Sequence, residues 1–331
     1  WADYDLDGHL DLYVGNEEYP SQLFRNNGDS TFTDVAKAAG VENRRMSKAV
    51  VWGDYDGDRY PDLYVSNYGS LASPDGSSGT TSNAFAAQSG SPNRLYHNNG
   101  DGTFTDVASQ VGVTEPSTGF TSWFWDFNND GALDIFVASY EILDGTDSVA
   151  RSYLGLPLKA ETLRLYQGDG KGGFREVSGE QKLTQLSLPM GSNFGDLDND
   201  GFPDFYLGTG YPNYEALMPN LMYYNQGGNS FANVTTAGGV GHLQKGHAVV
   251  FADLDNDGDQ DVFEQMGGAY PGDGFVDVLF ENPGFKNHWL KLKLIGTKSN
   301  RAAIGARIRV EITEAGRKRS VYCHVNSGGS F

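Results

Sequence analysis

The residues best suited to chemistry in this sequence are aspartates that recur at one spacing. Asp3, Asp5, Asp7 and Asp11 make the first nine-residue segment, Asp54, Asp56, Asp58 and Asp62 the second, and Asp126, Asn128, Asp130 and Asp134 the third. Asp196, Asp198, Asp200 and Asp204 follow, then Asp253, Asp255, Asp257 and Asp261. Side-chain oxygens at places 1, 3, 5 and 9 suit a hard cation that takes six or seven oxygen ligands, so calcium is the expected ion, about five in all. Place 7, which is His9, Tyr60, Ala132, Phe202 or Asp259, would add its backbone carbonyl. Magnesium prefers fewer protein ligands, and the Cys and His groupings favoured by zinc or copper are missing.

Asp, Asn and Gly are also ordinary turn formers, but turn chemistry does not require one spacing five times. An EF-hand needs a glutamate at place 12, and only the fifth segment has one, Glu264. Place 6 is glycine in four segments, which permits a sharp left-handed turn. The second segment has Arg59 there and Gly57 at place 4, so strain is expected at Arg59. The third has Asn128 in place of Asp, one charge fewer. These two are expected to bind more weakly, and the fifth most tightly, with the Asp259 side chain pointing outward as extra negative charge.

The elements that must position these loops read as strands. An aromatic stands two residues before each first Asp (Trp1, Trp52, Phe124, Phe194, Phe251), and an apolar run follows each last one, such as Leu12–Val14 and Ile135–Val137. Further on comes a hairpin signal: Asn27-Gly28, Asn99-Gly100, Asp169-Gly170 and Gln226-Gly227 between apolar stretches, with a truncated fifth copy from Leu279 to Gly284. The loops begin at 3, 54, 126, 196 and 253. About four short strands per unit, repeated, predicts an all-β chain folded as a β-propeller of about five blades over 1–285. Insertions at 71–92, 141–161 and 211–219 are expected on a rim.

Composition agrees, with 44 glycines and 13% aromatics in 331 residues. A net charge of −19 disfavours nucleic acid and anionic lipid as partners, and no apolar run is long enough to span a membrane. The single Cys323 has no internal partner. Residues 286–331 hold ten Lys/Arg and two Asp/Glu, which places a domain boundary near 285. This tail reads as a small β module: Leu290, Leu292 and Leu294 alternate, as do Ile308, Val310 and Ile312 and then Val321, Cys323 and Val325, with a turn at Glu314-Ala315-Gly316. Its basic residues interleave with the apolar positions, which reads as the solvated face of a small sheet, with docking onto the acidic propeller as the alternative.

The loops, with their preceding aromatic and following strand, resemble FG-GAP (VCBS) repeats, the calcium-bearing blades of integrin α-subunit propellers. The stretch Gly246–Asp261, continuing through Asn282-Pro283-Gly284, Asn287–Leu290 and Ser299–Ala306, resembles the cartilage acidic protein family with its ASPIC/UnbV module. The resemblance implies a calcium-binding adhesion or interaction scaffold, secreted or cell-surface, with a periplasmic location as the bacterial variant. Its partner would be a protein or glycan of a cell surface or matrix. It also implies about seven blades in a complete propeller, so upstream blades and a continuation of the module past Phe331 are expected. No nucleophile elbow or phosphate-cradling loop is present, and the six histidines are scattered, which points to structural roles. Two alternatives remain: a carbohydrate lyase or dehydratase using Tyr153, Lys159, Tyr211 or Tyr214 from the insertions, and a carbohydrate-binding module using exposed aromatics there.

Overall fold

A computed structural model describes residues 1–17, 19–70, 90–141, 146–210, 218–268, 274–314 and 316–327. Most of the insertion at 71–92, part of that at 141–161 and most of that at 211–219, with Tyr211 and Tyr214, lie outside the described residues.

The period-2, β-branched and aromatic runs form strands in sequential antiparallel sheets. The first has β1 (Leu12–Val14), β2 (Gln22–Asn26) and β3 (Phe32–Asp34), with a bridge between Ala2 and Asp11 in place of an inner strand. The second has β4 (Arg45–Gly53), β5 (Asp62–Ser70), β6 (Arg94–Asn98) and β7 (Phe104–Asp106). The third is β8 (Gly119–Trp125), β9 (Asp134–Ser139), β10 (Arg164–Gly168) and β11 (Phe174–Glu176); the fourth is β12 (Pro189–Gly195), β13 (Asp204–Thr209), β14 (Leu221–Asn225) and β15 (Phe231–Asn233). The fifth is β16 (Lys245–Ala252), β17 (Asp261–Gly267) and β18 (Val278–Phe280). Each is a blade of a propeller-like fold, and each acidic loop joins the innermost strand to the next.

Blades pack face to face through aromatics. Between the third and fourth, Phe136 packs against Phe205 with ring centroids 5.2 Å apart, and Trp123 against Phe194 at 5.5 Å. Trp125, Leu207 and Phe231 complete this buried cluster. Burial of each such side chain stabilises by about 1.5–3 kcal/mol. The second and third blades meet through Tyr64, Leu95, Ile135 and Tyr166. Helices are minor: Ala36–Ala39, Ala108–Val111 and, in the second insertion, Thr146–Tyr153.

The tail differs in part from expectation. β19 (Arg307–Glu314) and β20 (Arg317–His324) form the expected hairpin, with Ile308 opposite Cys323 and Val310 opposite Val321. No strand forms among the described residues between 286 and 306, and Leu290 and Leu292 are exposed. Alternation alone does not make a strand when no neighbour supplies ladder partners. That stretch instead crosses the acidic loops, where the Trp289 indole covers Gly258 and Asn287 donates to the Asp198 carbonyl.

Candidate metal centre

One hydrogen-bond scheme closes the loops. The place-5 carboxylate accepts from the place-7 N–H in all five: Asp7 from His9, Asp58 from Tyr60, Asp130 from Ala132, Asp200 from Phe202 and Asp257 from Asp259, at 2.8–3.0 Å. The place-1 carboxylate accepts from place 6 in four, Gly8, Arg59, Gly131 and Gly201. Place 6 is left-handed throughout, with φ from 82° at Arg59 to 100° at Gly258, as the sequence predicts, and Arg59 therefore carries the expected strain. Place 4 is left-handed too: Leu6, Gly57, Asn129, Asn199 and Asn256 have φ of 57–82°. The recurrent Asn or Gly there was the available signal, since both tolerate this region.

These turns bring carboxylates together. Oxygens of Asp3, Asp5 and Asp11 lie within 4.8 Å of one another, as do those of Asp54, Asp56 and Asp58, of Asp196, Asp198 and Asp204, and of Asp253, Asp255 and Asp257. In the third loop the Asn128 amide donates to Asp130 at 2.8 Å. Buried Oδ1 atoms of Asp3 and Asp253 have no hydrogen-bond partner, and Asp3 is 3% exposed. A buried carboxylate oxygen without a donor is costly, and a divalent cation is the partner that this donor set fits. Burial raises the carboxyl pKa values, to about 7 at Asp11 and Asp196, about 6 at Asp126, about 8 at Asp204 and about 9 at Asp62; neighbouring carboxylates add to the shift.

Place 9 has a second task that sequence reasoning missed. In every loop one oxygen accepts from the place-2 N–H and the other from the end of the blade's third strand: Asp11 binds Tyr4 and Asn26, Asp62 binds Tyr55 and Asn98, and Asp134 binds Phe127 and Gly168. Asp204 binds Leu197 and Asn225, and Asp261 binds Leu254 and Asn282. The Asn side chains then reach the preceding loop. Asn98 donates to the Tyr4 carbonyl, Asn225 to Phe127 and Asn282 to Leu197, all at 2.8 Å. The third blade has Gly168 instead, where a Cβ would stand 2.2 Å from the Leu133 carbonyl. The irregular second loop thus lacks this particular Asn brace.

Other side chains stand differently from expectation. Asp259 does not point outward: it is buried, and accepts from Asn199 of the fourth loop at 2.7 Å, because the neighbouring loop supplies a donor. The His9 and Tyr60 rings cover the hairpin glycines Gly28 and Gly100. His97 leaves the scatter of histidines, its Nδ1 standing 3.3 Å from both Asp56 and Asp62, and Tyr224 at the same strand position donates to Asp198 at 2.8 Å. Both positions precede the brace residue, but only the folded blade shows that they face place 3. Glu264 is buried and accepts from the Tyr206 hydroxyl of the fourth blade at 2.9 Å, a bond between blades rather than the role of an EF-hand ligand. Tyr153 ends the Thr146–Tyr153 helix and is half exposed.

No helix among the described residues is long and apolar enough to cross a membrane. The chain is 27% identical over 258 residues to cartilage acidic protein 1 of Homo sapiens, covering 76% of this chain and 35% of that protein. It is 25% identical to the Mus musculus protein over 99% of this chain and 56% of that one. It therefore spans about a third to a half of these relatives. A solved rhamnogalacturonan lyase aligns over 80% of this chain and 45% of its own, at 15% identity and a TM-score of 0.40, too remote to bear on function. The model of the FG-GAP-like repeat matches residues 3–65, 83–137, 146–207 and 212–264, and by these four matches the chain belongs to the FG-GAP-like repeat family.

Proposed function

We propose that this chain is a calcium-binding β-propeller scaffold, extracellular or on a cell surface, that presents an interaction surface and performs no catalysis. The observation that carries the reading is the fivefold repetition of one loop geometry, with three carboxylates converging in four of the loops and the Asp3 oxygen left without a donor. Places 1, 3, 5 and 9 would hold the ion, joined by the place-7 carbonyl. Its charge would offset the clustered carboxylates and fix the blade ends. The relatedness to cartilage acidic protein 1 supports the extracellular setting and a protein or glycan of a surface or matrix as partner. The basic tail from 286 onward is proposed as a separate module packed on the propeller.

The test is thermal unfolding in excess calcium and in chelator. An ion held only by the folded state at 100 times its Kd adds about 2.7 kcal/mol per site. A melting temperature identical in the two conditions would overturn the calcium reading.

A further inference from the structure

The tail crosses the acidic-loop face by touching the loop backbone. The Asn129 side chain, at place 4 of the third loop, donates to the Ser320 carbonyl at 3.0 Å and accepts from the Tyr322 N–H at 2.8 Å. Arg307 donates to the Gly131 carbonyl at 2.9 Å, and Arg319 to the Asp200 carbonyl at 2.8 Å. These contacts with the third and fourth loops go to backbone carbonyls and the Asn129 carboxamide rather than to carboxylate oxygens. At the second and fifth loops the tail meets place 1 instead: Arg307 lies 3.8 Å from Asp54, and Lys291 3.2 Å from Asp253.

We propose that residues 286–327 form a clasp on this face, seated by cation-filled third and fourth loops, so that withdrawing the cation frees a basic hairpin. The proposal rests on the calcium reading. Asn129 and Gly131 meet the hairpin in left-handed conformations, φ 58° and 88°. The same turns draw the loop's carboxylates together, and without a cation mutual repulsion opposes them. The hairpin therefore docks on a surface that the ion shapes, and by reciprocity docking tightens ion binding there. Charge alone predicts the opposite, since stripped loops are more negative and would hold a basic tail harder. The contacts decide for geometry: they go to carbonyls and a carboxamide at the two central loops, and Lys291, which would compete with an ion at the fifth, is 66% exposed and yields readily.

Hydrogen exchange of the full chain, read on the peptide covering 317–324, tests this, with bound calcium counted in parallel. A two-stranded hairpin is marginal alone, so undocking exposes its amides. Exchange about tenfold faster or more in chelator than in calcium is expected. Asn129→Gly keeps the positive φ and deletes both bonds; it should give the fast exchange even in calcium, with the same number of ions bound. If that variant does not fold, Arg319→Gln serves in its place. Calcium bound with exchange unchanged by chelator, or by the variant, overturns the clasp and leaves the calcium reading standing. No calcium bound overturns both.

Discussion

Replacing Asn225 with alanine removes the brace between the third and fourth blades. Its amide donates to the Phe127 carbonyl at 2.8 Å and the Pro203 carbonyl at 3.1 Å, and its Oδ1 accepts from Gly228 at 2.8 Å. The residue is fully buried, so water cannot replace these bonds. Three bonds lost, with two carbonyls and one N–H left without partners, cost about 3–5 kcal/mol. That is a large part of the 5–15 kcal/mol typical of a folded protein, by the order of magnitude of such stabilities. Asn26, at the matching position of the first blade, donates only to Leu10 of its own loop and is half-buried. Asn26→Ala should cost about 1–2 kcal/mol. Urea unfolding in saturating calcium, followed by tryptophan fluorescence, reads both, because Trp123 and Trp125 lie in the cluster between the third and fourth blades. Equal costs for the two variants would refute the claim that the Asn side chain links neighbouring blades.

Three further outcomes are expected. In chelator, melting temperature should fall as pH rises from about 4 to 9: burial holds Asp11, Asp196, Asp204 and Asp62 above the unfolded 3.8, at about 7, 7, 8 and 9, so the folded state binds more protons and loses stability as they leave. His324, held down to about 4 by burial, works the other way below 6.5, one group against several, and a profile flat or rising across pH 5–8 would contradict this. Arg59→Gly relieves a positive φ of 82° while keeping the N–H bond to Asp54; it should raise stability in calcium by about 1 kcal/mol and tighten the second site, measured by thermal unfolding and calcium titration. Asp259→Ala loses the bond to Asn199 and should cost about 1–2 kcal/mol with or without calcium, whereas exposed Asp255→Ala should cost stability only in calcium, as paired unfolding curves would show.

The strands and loops were legible because their signals are local. Ile135 to Val137 reads as a buried strand from its residues alone, and the place-6 glycines announce a left-handed turn. The braces were not, because Asn98 and Asn225, each two residues before a glycine, read as turn formers, and the carbonyls they reach lie 94 and 98 residues away. Asp259 was misread for the same reason, since its partner Asn199 belongs to another repeat. Leu290, Leu292 and Leu294 misled in the opposite way: an alternating pattern is local, but a strand needs a neighbour, and this stretch lies across loops instead.

The proposed function stands on the five loops being cation sites. Equilibrium dialysis of the chelator-stripped chain against calcium, with bound metal counted by elemental analysis, tests it most directly. About five calcium ions per chain are expected at saturation, few of them displaced by a moderate excess of magnesium. A chain that binds none, while remaining folded, would contradict it.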